Sequence, residues 1–492
     1  MSIRDKQHPT TSFLRRTALA CALSLLVAGA AQAGHDAPLP ADLPPFAPDK
    51  PLPVADIVQR TLANGLQVWV VPRDGVPRVD YVLAVRGAGN AADPADASGF
   101  ADMLAGMLVE GTSGHDSRQI AEAAQGFGGG IGASAGADAI FVQANALPSH
   151  AAGMMDLLAE VAREPAFPAA EARLQQANAL QQLKASEAQP GFKATRALLK
   201  AVYGDHPYAR VQSSEGGIAA ATPDALRAAH EARFRPDRAL LVVAGRISPD
   251  EAMRLAEAAF GDWQASGEPL PETAPARRQA PVSHVLVQRD GSVQSAIRLG
   301  RPAIPATDPD YIPLQLASTV LGGGFSSRVN QNLREDKGYT YGASAYQSPA
   351  RNGGRVQAGA DVRNEVTGAA IAEFFKEFER LANEPVPAQE LVDTKRYVAG
   401  GYLISNQLQG AVANTLASYW IGGQPAGALA QYVPRIRAVD AAQVQAMARK
   451  YWNPADQSIV VVGDATAIAE QLAPYGKFTI EGAIQADGAK QQ

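Results

Sequence analysis

The chain has 492 residues, of which 46% are hydrophobic and 19% charged, with a formal net charge of −5 and one cysteine. This is ordinary globular composition in a chain long enough for more than one domain. A mildly acidic body without a Lys/Arg run argues against nucleic acid as a partner, and a lone cysteine excludes a disulfide framework.

Arg4, Lys6, Arg15 and Arg16 precede an uncharged run from Thr17 that ends in Ala31-Gln32-Ala33. A basic start, a short apolar run and an A-x-A ending read as a secretory signal peptide, residues 1–33, with cleavage after Ala33. The run is short for a membrane span. The Arg pair leaves the export route open. Cys21 lies inside the segment, so the mature chain would hold no thiolate site, and a bacterial periplasmic location is the simplest expectation. Without these residues the net charge is −8. Residues 34–54 carry prolines at 38, 40, 44, 45, 48, 51 and 53 and predict an extended lead-in.

Asn64-Gly65 between apolar runs predicts a hairpin, followed by a strand over Val79 to Val85. Phe100, Met103, Leu104, Met107 and Leu108 fall at helical spacing, so Ser98 to Val109 predicts a helix. Gly128-Gly129-Gly130 lacks a following Lys-Ser/Thr and reads as a tight turn or bulge, not a phosphate cradle. His206 is expected to pack and hydrogen-bond, and His115 to be solvated in a loop. The seven histidines show no metal-binding spacing.

The chain repeats itself. Thr222 to Gly245 and Asp440 to Gly463 both read as a capped helix, a proline turn and a buried strand, at a constant offset of 218. Glu164-Pro165 with Pro168 returns as Glu384-Pro385 with Pro387, and Asp102 to Leu108 returns as Leu314 to Val320 at 212. Three echoes in one order indicate a duplicated unit of about 215 residues. The predicted organisation is a first domain over 55–263, a Pro- and Ala-rich linker over 264–284, a second domain over 285–478 and a tail over 479–492. Strands and amphipathic helices mix without a regular βαβ beat, so the class is α+β.

Several stretches together resemble the pitrilysin/insulinase (M16) metallopeptidase family. NGLQVWVVP, SGFADMLAGMLVEGT and GDHPYA are similar to its N-terminal domain, and LGGGFSSRVNQNLREDKGYTYGASA to its C-terminal domain. The resemblance implies two homologous domains, each a sheet with helices on one face, closing as a clam shell. Active members carry H-x-x-E-H in a helix, two imidazoles one turn apart for Zn²⁺ and a general base. Here those positions are Asp102, Ala105 and Gly106, and the third ligand position is matched by Gln182, 76 residues beyond Gly106. Alanine and glycine offer neither donor nor base, so no zinc is expected in this chain. Asp102 alone reads as a helix N-terminal acid.

The family's Arg/Tyr pair, which reaches toward substrate from the C-terminal domain, is matched by Arg334 and Tyr341. Tyr339 is expected beside Tyr341 on one strand face. The resemblance then implies a non-catalytic subunit that clamps an unstructured peptide for an HxxEH-bearing, zinc-holding partner in a heterodimer, as in mitochondrial processing peptidase. A structural scaffold subunit and a free-standing peptide-binding protein are the alternatives.

Overall fold

The computed structural model describes residues 56–482. The signal peptide and the proline-rich lead-in read from the sequence lie outside them, as does the tail beyond 482.

Two six-stranded mixed sheets form the frame. The first runs β1-β2-β6-β3-β5-β4, built from Val58–Thr61, Gln67–Pro72, Val79–Arg86, Gly130–Ala135, Ala139–Ala146 and Ala239–Gly245 in chain order. The second runs β12-β7-β11-β8-β10-β9, built from His284–Gln288, Gln294–Ala303, Ala343–Ala350, Gly353–Arg363, Ser458–Gly463 and Thr479–Glu481. Five strands of each sheet correspond in order and direction. In each, one parallel pair (β2 with β6, β7 with β11) adjoins an antiparallel run. The sheets differ at one edge, where β1 pairs antiparallel with β2 while β12 pairs parallel with β7. Thr479–Glu481, read from the sequence as tail, therefore extends the second sheet.

Seven helices carry the later argument: α1 (Phe100–Met107), α2 (Ala169–Glu187), α3 (Pro190–Tyr203), α4 (Tyr311–Gly322), α5 (Thr367–Asn383), α6 (Ala388–Ser405) and α7 (Gln409–Ile421). The helix-turn-strand unit seen twice in the sequence is present twice, as Pro223–Arg233 before β6 and Ala441–Tyr451 before β11. Both helices are capped by a side chain, Thr222 in one and Asp440 in the other, accepting from the third backbone N–H.

The central strands are buried on both faces, β6 throughout and β3 up to Arg86, which a one-sided sheet does not allow. Alternate residues enter different cores. Val68, Val70, Leu241 and Val243 pack beneath the first repeat's own helices. Trp69, Val71, Leu240 and Val242 pack on the opposite face against Val412, Leu416, Ala417 and Trp420 of α7, a helix of the second repeat. The exchange is reciprocal: Val460 and Val462 of β11 meet Ala194, Leu198, Leu199 and Val202 of α3, a helix of the first repeat. Each repeat thus closes the other's sheet. A fully buried aliphatic or aromatic side chain contributes about 1.5–3 kcal/mol, so a handful per helix makes this seam a main source of stability.

Candidate functional site

The start of α1 is fixed by a buried ion pair. Asp93 Oδ2 accepts from the Ala101 N–H at 3.1 Å, and Asp93 Oδ1 lies 2.9 Å from Arg233 Nη1. These side chains are 2% and 5% exposed, so the pair is desolvated and removing one partner strands the other. Asp102 follows in the first turn. Part of its surface is exposed, but its carboxylate is flanked by Asn90 and by Ser213, whose Oγ donates at 3.3 Å. Partial desolvation lifts the Asp102 carboxyl above its ordinary value, against these two hydrogen bonds.

The remaining positions of the helix face do not fit a metal. Ala105 is 1% exposed and belongs to the apolar core. Gly106 is covered by an amide: a Cβ built there would lie 2.6 Å from Gln175 Nε2. Gln175 stands on α2, seven residues before Gln182 and therefore on nearly the same face two turns away. Gln182 itself is exposed. Sequence reasoning did not single out Gln175; the absence of a side chain at Gly106 is the signal that a neighbour fills the space. Among the described residues, no group of three or more His, Cys, Asp or Glu is placed to hold a metal ion.

The histidines hold local structure. His206 Nε2 donates to the Ala274 carbonyl at 2.8 Å, and its Nδ1 accepts from the Tyr208 N–H. His115 is not simply solvated: its Nδ1 lies 2.8 Å from Glu160 Oε1, and Thr112 also donates to that carboxylate. The loop after α1 is thereby pinned to the helix Ala151–Arg163. Gly128 turns the chain at φ 77° just ahead of β4, a tight turn as read.

In the second repeat the polar residues after α4 serve as fasteners. A Cβ on Gly322 would fall 1.9 Å from the Ala345 N, so α4 can approach β9 only with glycine there. Arg328 is 7% exposed at its side chain and makes a bidentate pair with Glu390 of α6, at 2.8 and 2.7 Å. Asn330 donates to the Phe325 carbonyl and accepts from the Ala343 N–H. Asn332 reaches Glu373 and Glu377 of α5.

Between these fasteners, Gln331–Asp336 forms a π-helix, a wider turn frequent at functional sites, and it carries Arg334. The Arg334 guanidinium stands 4.3 Å from the Phe325 ring centroid and 3.3 Å from Glu335 Oε1, with its side chain 37% exposed. Tyr341 lies in the loop before β9 and is 93% exposed. The shared strand face expected for Tyr339 and Tyr341 is not found, because the strand begins only at Ala343. Tyr339 instead packs partly buried against the second repeat's core. Chemically, a guanidinium and a free phenol present donors to an acceptor such as a peptide carbonyl.

Residues 75–213 match the family model described as Insulinase (Peptidase family M16), and residues 220–398 the one described as Peptidase M16 inactive domain; together they span more than half of the chain. Among the relatives is an uncharacterized zinc protease, YmxG, of Bacillus subtilis, 26% identical over 354 residues, which are 71% of this chain and 84% of that one. An uncharacterized zinc protease of Streptomyces coelicolor is 21% identical over 401 residues, 80% of this chain and 87% of that one. The crystal structure of a peptidase M16 inactive domain from Pseudomonas fluorescens superposes with a TM-score of 0.77 at 26% identity, covering 84% of this chain and 99% of that one. A protease from Helicobacter pylori shares the fold with a TM-score of 0.77 at 19% identity, covering 83% and 99%.

Proposed function

The chain belongs to the M16 (insulinase) peptidase family, and we propose that within it this is the zinc-less, non-catalytic subunit of a two-chain periplasmic peptidase. The carrying observation is an asymmetry between the repeats. The helix face at Asp102, Ala105 and Gly106 is refilled with core and amide, while the second repeat retains an Arg on a π-helix and an exposed Tyr seven residues on.

In this reading an HxxEH-bearing partner holds the zinc and performs the chemistry. Arg334 Nη and Tyr341 Oη donate to the substrate carbonyl, where negative charge grows during hydrolysis. The substrate is an unstructured peptide bound in extended form, added along a sheet edge such as β4 or β9. A purely structural subunit is the second reading, and one observation favours it: Arg334 already has partners within its own repeat, Phe325 and Glu335.

The test mixes the purified chain with the HxxEH-bearing M16 protein encoded in the same genome. The expected result is no stoichiometric zinc and no peptide cleavage by this chain alone, with a chelator-sensitive gain in turnover on mixing. Turnover by the partner that is unchanged by this chain, in a complex that does assemble, supports the structural reading instead.

A further inference from the structure

A narrow cavity lies at the seam where the linker and the β9–β10 turn meet the first sheet. The space inside it that a water-sized body can occupy is about 20 Å³, room for one small ion or a water. Three guanidinium groups line it, Arg86, Arg238 and Arg351, against two carboxylates, Asp138 and Glu272, so the lining carries one net positive charge. Nearby Asp237 is matched by Arg235, at 2.9 Å.

The guanidiniums are incompletely partnered. Arg86 stacks over Trp420 at 5.1 Å, its Nη2 stays 3.9 Å from Glu272, and its Nε is buried without a hydrogen-bond acceptor. Arg238 spends one nitrogen on the Leu270 carbonyl, and Arg351 one on the Ile421 carbonyl. Asp138, the other carboxylate of the lining, is taken by the Tyr208 hydroxyl at 2.6 Å and the Arg351 backbone N–H at 3.0 Å. Burial first, then repulsion by Arg351 and Arg238, lowers the Arg86 pKa, with Glu272 opposing. Three guanidiniums around one small cavity, with one net positive charge and one donor unmet, favour an added counter-charge.

We infer that this cavity binds one small monovalent anion, a halide or a carboxylate, which ties β3, the linker and the β9–β10 turn together. The site neutralises the excess charge of the lining and gives the unmet donors an acceptor. It is independent of the proposed peptidase role.

The experiment is thermal unfolding of the purified chain at constant ionic strength, replacing sodium gluconate, too bulky to enter, with sodium chloride or sodium formate. Binding to the folded state raises Tm saturably, by about 3 °C at a hundredfold excess over the dissociation constant for a chain of this length. Arg86→Gln abolishes the rise, while Arg246→Gln, whose guanidinium holds Asp74 and Gly75 carbonyls away from the cavity, keeps it. Bromide-soaked crystals of the unaltered chain should show an anomalous peak within about 3.5 Å of Arg86 Nε, a check that does not depend on the variant folding. Equal Tm in gluconate and chloride, or a rise retained in Arg86→Gln, overturns the site. A bromide peak without anion-dependent stability marks an adventitious ion only, and overturns it equally.

Discussion

Writing the family's metal motif back into α1 tests how completely this site has been rebuilt. Consider Asp102→His, Ala105→Glu and Gly106→His made together. At 102 the surface is open, and the loss is confined to the hydrogen bonds with Asn90 and Ser213. At 106 the new side chain meets Gln175 Nε2, the far end of a flexible chain that can swing away. Position 105 decides the outcome. Ala105 is 1% exposed among apolar neighbours, so a glutamate there overpacks the core, at about 1–3 kcal/mol, and desolvates a carboxylate for a comparable amount. A total of roughly 2–6 kcal/mol, at on the order of 1 °C per kcal/mol for a chain of this length, lowers Tm by about 2–6 °C. Elemental analysis should find well below one zinc per chain, and zinc should not restore Tm. A variant that unfolds at the wild-type temperature and takes up one zinc removable by chelator would refute the reasoning, since it would mean that the face is still a preformed metal site.

In a reconstituted complex, Arg334→Ala and Tyr341→Phe should each lower kcat by about 10²–10³ without altering assembly, and together by much less than the product. Because Tyr341 is 93% exposed, its Tm should shift by less than about 1 °C, measured on the isolated chain. Arg328→Ala leaves the partly exposed Glu390 without its bidentate partner and should cost about 1.5–3 kcal/mol in denaturant unfolding, while turnover per folded complex stays near wild type. Asp80 is 5% exposed, and burial raises its carboxyl pKa despite Arg78. The folded state therefore holds this proton at pH values where the unfolded chain has lost it, so its contribution falls as pH rises from the ordinary aspartate pKa through the raised one. Asp80→Asn should remove that slope from Tm measured between pH 4 and 7, and a slope that persists unchanged assigns it to other groups.

The duplication was legible because each copy repeats a local grammar of cap, helix, proline turn and apolar strand, which survives where identities do not. The hairpin at Asn64-Gly65 and the helix at Phe100–Met107 were legible for the same reason. What the sequence concealed was mostly partnership. Leu240 to Ala244 reads as a buried strand, but nothing in it names α7 as the cover of its second face. Gln175 could not be singled out by counting from Gly106, since its role is to fill a volume and not to match a spacing. The π-helix at Gln331–Asp336 also has no periodic signature, and it withdraws Tyr341 from the strand that alternation had assigned. His115 looked like a loop residue because its partner, Glu160, is 45 positions away.

The reciprocal helix exchange changes what the peptide linking the repeats is for. With α3 closing the second sheet and α7 the first, the halves are interlocked through two apolar seams, to which the linker adds Ala276 and several hydrogen bonds of its own. Severing that segment would leave one particle of unchanged outline, as a two-piece clasp stays shut when its hinge pin is drawn. Separate production of either half would instead present a sheet with one bare face, ready to aggregate. The covalent join then serves to supply in equal number two pieces whose sheets each lack a cover without the other.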